Sequence, residues 1–200
     1  DEFESAISHK LGSKYCVSVN SATSALHLSC LALDLKVGDF LWTSPTSFVA
    51  SANCALYCRA NVDFIDIDPS TGLISMEKLV KKLEKAKILN KLPKVIVPVH
   101  LSGSICDMEQ LYMLSLKYNF YIIEDASHAI GAKYKNNYVG NCKYSDITVF
   151  SFHPVKIITS GEGGCITTNK VRLFNSVKKL RSHGIRKNRE EFELESKEPW

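Results

Sequence analysis

Short apolar runs rich in β-branched residues alternate along this chain with longer stretches of helical spacing. That alternation constrains the fold more than any other feature, because it is the pattern of an α/β domain built around a mostly parallel sheet. Seven runs read as strands: 15–19, 40–43, 62–65, 94–99, 120–123, 146–150 and 165–168. Two of them, Lys94-Val95-Ile96-Val97-Pro98-Val99 and Phe120-Tyr121-Ile122-Ile123, are nearly unbroken apolar stretches, as expected of strands covered on both faces. The stretches between them have helical spacing. Phe3, Ala6, Ile7 and Leu11 open the chain in a helix, and Leu26 to Leu33 continue a second one. Pro45 to Phe48 opens a third that ends near Tyr57, and Met76 to about Leu89 sets Leu79, Val80 and Leu83 among lysines. Asp107 caps a helix through Leu116, and Val171 to Leu180 forms the last. The charged segment from Arg186 to Glu198 reads as a loop. With 200 residues, 45% of them hydrophobic, the chain can bury one substantial core and fit one or at most two domains. It starts without a Met and stops at Pro199-Trp200 beyond that charged stretch, which is expected of a fragment.

Charge and cysteine content exclude several function classes. The balance of 25 basic against 21 acidic residues leaves a net charge of +4, small and scattered, and implies no nucleic-acid partner. The densest basic run, Lys178, Lys179 and Arg181 with Arg186, Lys187 and Arg189, reads as a solvated face, with a phosphate-facing patch as the sharper alternative. Seven cysteines (16, 30, 54, 58, 106, 142 and 165) include no C-x-x-C pair and sit among apolar or small residues. Buried thiols in a reducing, cytoplasmic setting explain this better than a disulfide framework or a metal site. No apolar run approaches the ~20 residues of a membrane span.

Three constellations carry chemistry, each directly after a strand, where α/β sheets place ligands. Asn20-Ser21-Ala22-Thr23-Ser24 sets small hydroxyl residues at a helix start, either a plain N-cap or a cup for a phosphate. It has no P-loop lysine and no G-x-G-x-x-G. Glu124-Asp125 follows a buried strand; a carboxylate there needs a cationic partner or a capping role. Neighbouring side chains on one strand point to opposite faces, so the two acids cannot share a metal. Ser151 to Gly164 holds Lys156 in apolar company ahead of Gly161-Glu162-Gly163-Gly164. Burial there lowers a lysine's pKa and makes its amine a nucleophile toward an aldehyde. His100 could approach a substrate or be a satisfied strand-end histidine, and His183 is equally open. Phe48, taken by itself, is more often core.

In order, NSATSALHL, TSPTSFVASANCALY, EDASHAIGAKY and SFHPVKIITSGEGG resemble the sugar aminotransferases of the DegT/DnrJ/StrS family, across essentially the whole chain. NSATSAL and SFHPVK are most similar to the members that aminate UDP-4-keto-6-deoxy-N-acetylhexosamines. The resemblance implies a three-layer α/β/α sandwich with a mostly parallel seven-stranded sheet. Residues 1–185 would form the large, cofactor-binding domain, incomplete at its N-terminus, and 186–200 a charged loop toward an absent small domain. It also implies pyridoxal phosphate as cofactor, a nucleotide-sugar substrate, L-glutamate and 2-oxoglutarate as the amino donor and its product, and a homodimer. On the matching positions, Lys156 would bond the cofactor and act as acid and base, and Asp125 would meet the ring nitrogen. Phe48 would stack on the ring, His128 would face its hydroxyl, and Ala22, Thr23 and Ser151 would hold the phosphate. His100, His153 and Glu162 would face substrate. A sugar 3-dehydratase would carry histidine in place of Lys156; a non-catalytic cofactor-binding regulator and an inactive fragment remain alternatives.

Overall fold

The computed structural model describes residues 2–185; the expected loop from Arg186 onward lies outside them. The main sheet has seven strands: β1 (Tyr15–Val19), β2 (Phe40–Thr43), β3 (Asn61–Phe64), β4 (Val95–Val97), β5 (Tyr121–Asp125), β8 (Ile147–Ser151) and β9 (Gly164–Thr168). Their order across the sheet is β1-β9-β8-β5-β4-β2-β3. Only β9 runs antiparallel to its neighbours, β1 and β8. A two-stranded hairpin, β6 (Lys133–Tyr134) and β7 (Asn137–Tyr138), lies apart from it. Sequence periodicity gives no hint of this hairpin, because two-residue strands are too short to show alternation; its turn residue Lys135 takes φ 45°.

Among the described residues, six α-helices complete the layers: α1 (Glu2–Leu11), α2 (Ala22–Ala32), α3 (Ala50–Tyr57), α4 (Met76–Ile88), α5 (Met108–Tyr118) and α6 (Val171–Arg181). On one face, Ala25, Leu26 and Cys30 of α2, Cys54 and Ala55 of α3 and Leu173 and Val177 of α6 pack on Val17, Val95, Val97, Ile123, Ile147, Val149 and Ile166. On the other, Leu79 and Leu83 of α4 and Met108 and Leu111 of α5 pack on Trp42, Ile96 and Ile122. The remainder of that face, from Leu11 of α1 to Phe150 and Cys165, forms a third cluster. Full burial of each of the Val, Leu, Ile, Phe and Met side chains among them stabilises the fold by about 1.5–3 kcal/mol. All seven cysteines are buried within these layers. Three helix starts are fixed by side-chain oxygens: Ser21 accepts from the Ser24 N–H, Ser75 from Lys78 and Asp107 from Gln110.

The third helix starts later than its sequence suggests. Residues 45–47 form bends, and α3 is entered through the turn bonds Ser51 N–H to Phe48 O (3.2 Å) and Ala52 N–H to Val49 O (3.1 Å). No side chain caps it, so the helix has no local start signal and Phe48 stands outside it.

The strand periodicity of two sorts the site residues. Ile123 and Asp125 face α2 and α3, while Ile122 and Glu124 face α4 and α5. The carboxyl ends of β1, β2, β4, β5 and β8 and the beginning of β9 share one sheet edge.

Candidate active site

A cavity of about 270 Å³ opens at that edge. Ser21, Ala22 and Thr23 line it from the β1–α2 junction, Ser47 and Phe48 from the segment after β2, Asp125, Ser127 and His128 from the end of β5, Ser151, His153 and Lys156 from the segment after β8, and Glu162 from the approach to β9. Every residue to which the family resemblance gives a site role lines it; Glu124 and His183 do not. His183 sits exposed at φ 62° in the turn after α6.

The cup is a helix N-terminus. Ala22 and Thr23 are the first two residues of α2, where backbone N–H groups have no partner within the helix. Ser21 uses its side chain to hold the Ser24 N–H, leaving the first two free to meet an anion. Gly164 makes this geometry possible. A Cβ there would stand 2.6 Å from the Ser21 carbonyl carbon and 2.7 Å from the Ala22 nitrogen. Its missing side chain therefore lets β9 press against the cup.

The two acids at the end of β5 part ways. Glu124 is buried on the far face, accepting from His100 Nε2 at 2.9 Å, Thr148 Oγ1 at 2.9 Å and Ser145 Oγ. Burial alone would raise its carboxyl, but the His100 hydrogen bond and charge, with the two hydroxyls, hold it below the ordinary range. His100 is 0% exposed. Burial alone would push its imidazole down, yet hydrogen bonding to Cys106 and Glu124 and the carboxylate's charge push it up to about 10. Its Nδ1 also faces the Cys106 N–H at 3.4 Å. It borders the cavity, yet both ring nitrogens lie within hydrogen-bonding distance of Glu124 and Cys106, the arrangement expected of a satisfied strand-end histidine. Asp125 instead faces the cavity. Its Oδ2 accepts from Ser51 Oγ at 2.6 Å, and its Oδ1 from Ser127 Oγ at 2.6 Å and Ser127 N–H at 3.2 Å.

Lys156 is half-buried, in a turn closed by its own N–H to His153 O at 2.9 Å. Its apolar company in the sequence implies burial. The neighbours Val155 and Ile157 are instead 76% and 63% exposed, because the turn projects beyond the sheet edge. The Lys156 Nζ lies 2.8 Å from His128 Nε2. Burial, reinforced by the Lys156 charge, holds the His128 imidazole below its ordinary value against a smaller opposing effect of Asp125. The Ser102 N–H points at His128 Nδ1 at 3.2 Å, while Nε2 faces the cavity and Lys156. Phe48 is 69% exposed and borders the cavity, which rules out the core reading. His153 and Glu162 face each other at 3.8 Å on the rim. Ser51 and Ser127 cannot be recognised from the sequence as contacts of Asp125; only the spacing of small hydroxyl residues in TSPTSFVAS hints at the first.

Known proteins share this arrangement of chain. The profile of the DegT/DnrJ/EryC1/StrS aminotransferase family matches residues 1–197. A UDP-4-amino-4,6-dideoxy-N-acetyl-beta-L-altrosamine transaminase of Campylobacter jejuni is 44% identical over 94% of this chain and 48% of its own length. Among solved structures, Helicobacter pylori PseC, an aminotransferase of pseudaminic acid biosynthesis, superposes with TM-score 0.83 at 35% identity, over 98% of this chain and 51% of its own. Bacillus subtilis NtdA, solved with the cofactor PMP, gives TM-score 0.84 at 31% identity, over 98% of this chain and 42% of its own. The chain thus spans about half the length of the relatives it matches. Aminotransferases of this family are pyridoxal-phosphate-dependent. A lysine, an aspartate and an anion cup meeting in one cavity agree with a profile match along nearly the whole sequence: the chain belongs to the DegT/DnrJ/EryC1/StrS aminotransferase family.

Proposed function

We propose that this chain is the cofactor-binding large domain of a homodimeric enzyme that transfers the amino group of L-glutamate to a nucleotide-linked 4-keto-6-deoxy sugar, a UDP-4-keto-6-deoxy-N-acetylhexosamine. One observation carries the reading: Lys156 and Asp125, from different strand ends, face one cavity that the α2 N-terminus also lines.

The residues fit pyridoxal phosphate. The cup offers two helix-start N–H groups and the Thr23 and Ser151 hydroxyls for a phosphate. Asp125 offers a carboxylate for a ring nitrogen, and the exposed Phe48 a flat apolar face. His128 turns its Nε2 to the cavity, where it can pair with a ring hydroxyl. When bound, the cofactor supplies an electron sink and a carrier for the amino group. This chain's own residues do the rest. The cup fixes the phosphate, Asp125 keeps a proton on the ring nitrogen, and Phe48 fixes the ring plane. The Lys156 amine, held at His128, carries the proton between adjacent carbons as base and then acid. His153 and Glu162 on the rim stand where a sugar would enter. Phe48 and Val155 leave exposed apolar surface beside the cavity mouth, which supports burial against a second copy. The altrosamine transaminase and PseC support the choice of sugar.

The test is amination of a panel of UDP-, dTDP- and GDP-linked 4-keto and 3-keto sugars by the full-length protein, with 2-oxoglutarate release as readout. Turnover restricted to UDP-linked 4-keto sugars is expected. Preference for another nucleotide or carbon refutes the substrate assignment, and no turnover on any refutes the reaction.

A further inference from the structure

Asp125 is gripped from two elements far apart in sequence. Ser51, in the first turn of α3, is 0% exposed and places its Oγ 2.6 Å from Oδ2. A hydroxyl has one proton and a carboxylate can only accept, so the Ser51 proton goes to Asp125. Ser47 Oγ lies 2.7 Å from Ser51 Oγ. With the Ser51 proton committed, Ser47 must donate to Ser51, and the run of hydrogen bonds has one direction, from the cavity wall through Ser47 and Ser51 to Asp125.

The other oxygen is held from the β5 side. Oδ1 takes both the Ser127 hydroxyl and the Ser127 N–H, which fills its two lone pairs. Oδ2 takes only Ser51 and keeps one lone pair. The carboxylate therefore cannot rotate about its own axis without breaking hydrogen bonds to two different elements, and it has one acceptor direction left.

We propose that Ser51, backed by Ser47, is a positioning residue that clamps the Asp125 carboxylate so that its one remaining lone pair, on Oδ2, meets the ring nitrogen of the cofactor. This rests on the reading of the cavity as a pyridoxal-phosphate site. Ser51 touches neither cofactor nor substrate and acts through Asp125.

The experiment uses the full-length protein and pyridoxal phosphate, with three readouts: cofactor affinity, the pH midpoint of the bound cofactor's absorbance, and thermal stability of the cofactor-free protein. Ser51→Ala is expected to weaken affinity about 10-fold, the loss for one hydrogen bond to a charged group, and to move the pH midpoint. Ser51→Thr restores both to within about threefold, since it keeps the hydroxyl. Because Ser51 acts only through Asp125, Ser51→Ala combined with Asp125→Asn should bind no more weakly than Asp125→Asn alone. Ser47→Ala, in a less buried position, gives a smaller loss in the same direction and guards against a misfolded Ser51 variant. Affinity and midpoint unchanged in Ser51→Ala overturn the proposal, as do fully additive losses in the double variant. If the wild-type protein binds no pyridoxal phosphate at all, the cavity reading itself fails and takes the clamp with it; wild-type binding with an indifferent Ser51 fails the clamp alone.

Discussion

Replacing Glu124 by Gln tests whether the buried pair behind Asp125 stabilises the fold in the way its geometry implies. In the native protein Glu124 accepts three hydrogen bonds, from His100, Ser145 and Thr148, all out of solvent. Glutamine keeps the volume and one acceptor. The two hydroxyls demand that this oxygen face them, which turns the amide NH₂ toward His100 Nε2. His100, raised to about 10 and so charged beside Glu124, must then surrender its Nε2 proton to accept from the amide. The substitution thus removes a buried charge-assisted bond, a cost of about 2–4 kcal/mol. The pH dependence is signed. The carboxyl of Glu124 is held below its ordinary value of 4.5, so its contribution is present above that value and fades as pH falls through the lowered one. His100 is raised from 6.5 to about 10, so its contribution is full below 6.5 and is lost as pH rises toward about 10. The gap in urea-unfolding free energy between wild type and Glu124→Gln should be widest between about pH 4.5 and 6.5 and shrink on either side. A gap under about 0.5 kcal/mol at pH 6, or one flat from pH 5 to 9, refutes the reasoning.

Phe48→Ala should leave the cofactor-free protein within about 0.5 kcal/mol of wild type, since the ring is exposed, yet weaken pyridoxal phosphate binding severalfold; a large loss of stability would return Phe48 to the core. Glu4 ties α1 to β1 and α6 by accepting from Ser18 N–H and Oγ, both at 2.8 Å, and from Arg181. Burial pulls its carboxyl upward, but Ser18 and Arg181 outweigh that and leave it lowered. Glu4→Gln should therefore destabilise the protein at neutral pH and lose its effect as pH falls below about 4.5, measured by unfolding midpoints across pH; an effect that grows on acidification contradicts this.

Much of this molecule is legible in its sequence. The central strands β4, β5 and β8 appear as apolar, largely β-branched runs because both of their faces are covered, and the period of two separates Asp125 from Glu124 without coordinates. Lys156 and the cup are visible because each follows a strand. What stays hidden depends on sheet order. Ser51 and Asp125 are 74 positions apart and meet only because β2 and β5 both flank β4 and bring the start of α3 to the end of β5. The partner of His100 lies 24 positions away on the neighbouring strand, so the ring reads equally well as a ligand contact until that neighbour is known. The exposure of the Lys156 turn is hidden for the same reason: apolar neighbours suggest burial, but the sheet ends beneath them.

On the proposed function, Lys156, in the turn after β8, is where pyridoxal phosphate attaches. Full-length protein incubated with the cofactor, reduced with borohydride and digested should show the added mass on the peptide carrying Lys156, and Lys156→Ala should show none. Label spread over surface lysines, or retained when Lys156 is removed, would contradict the account.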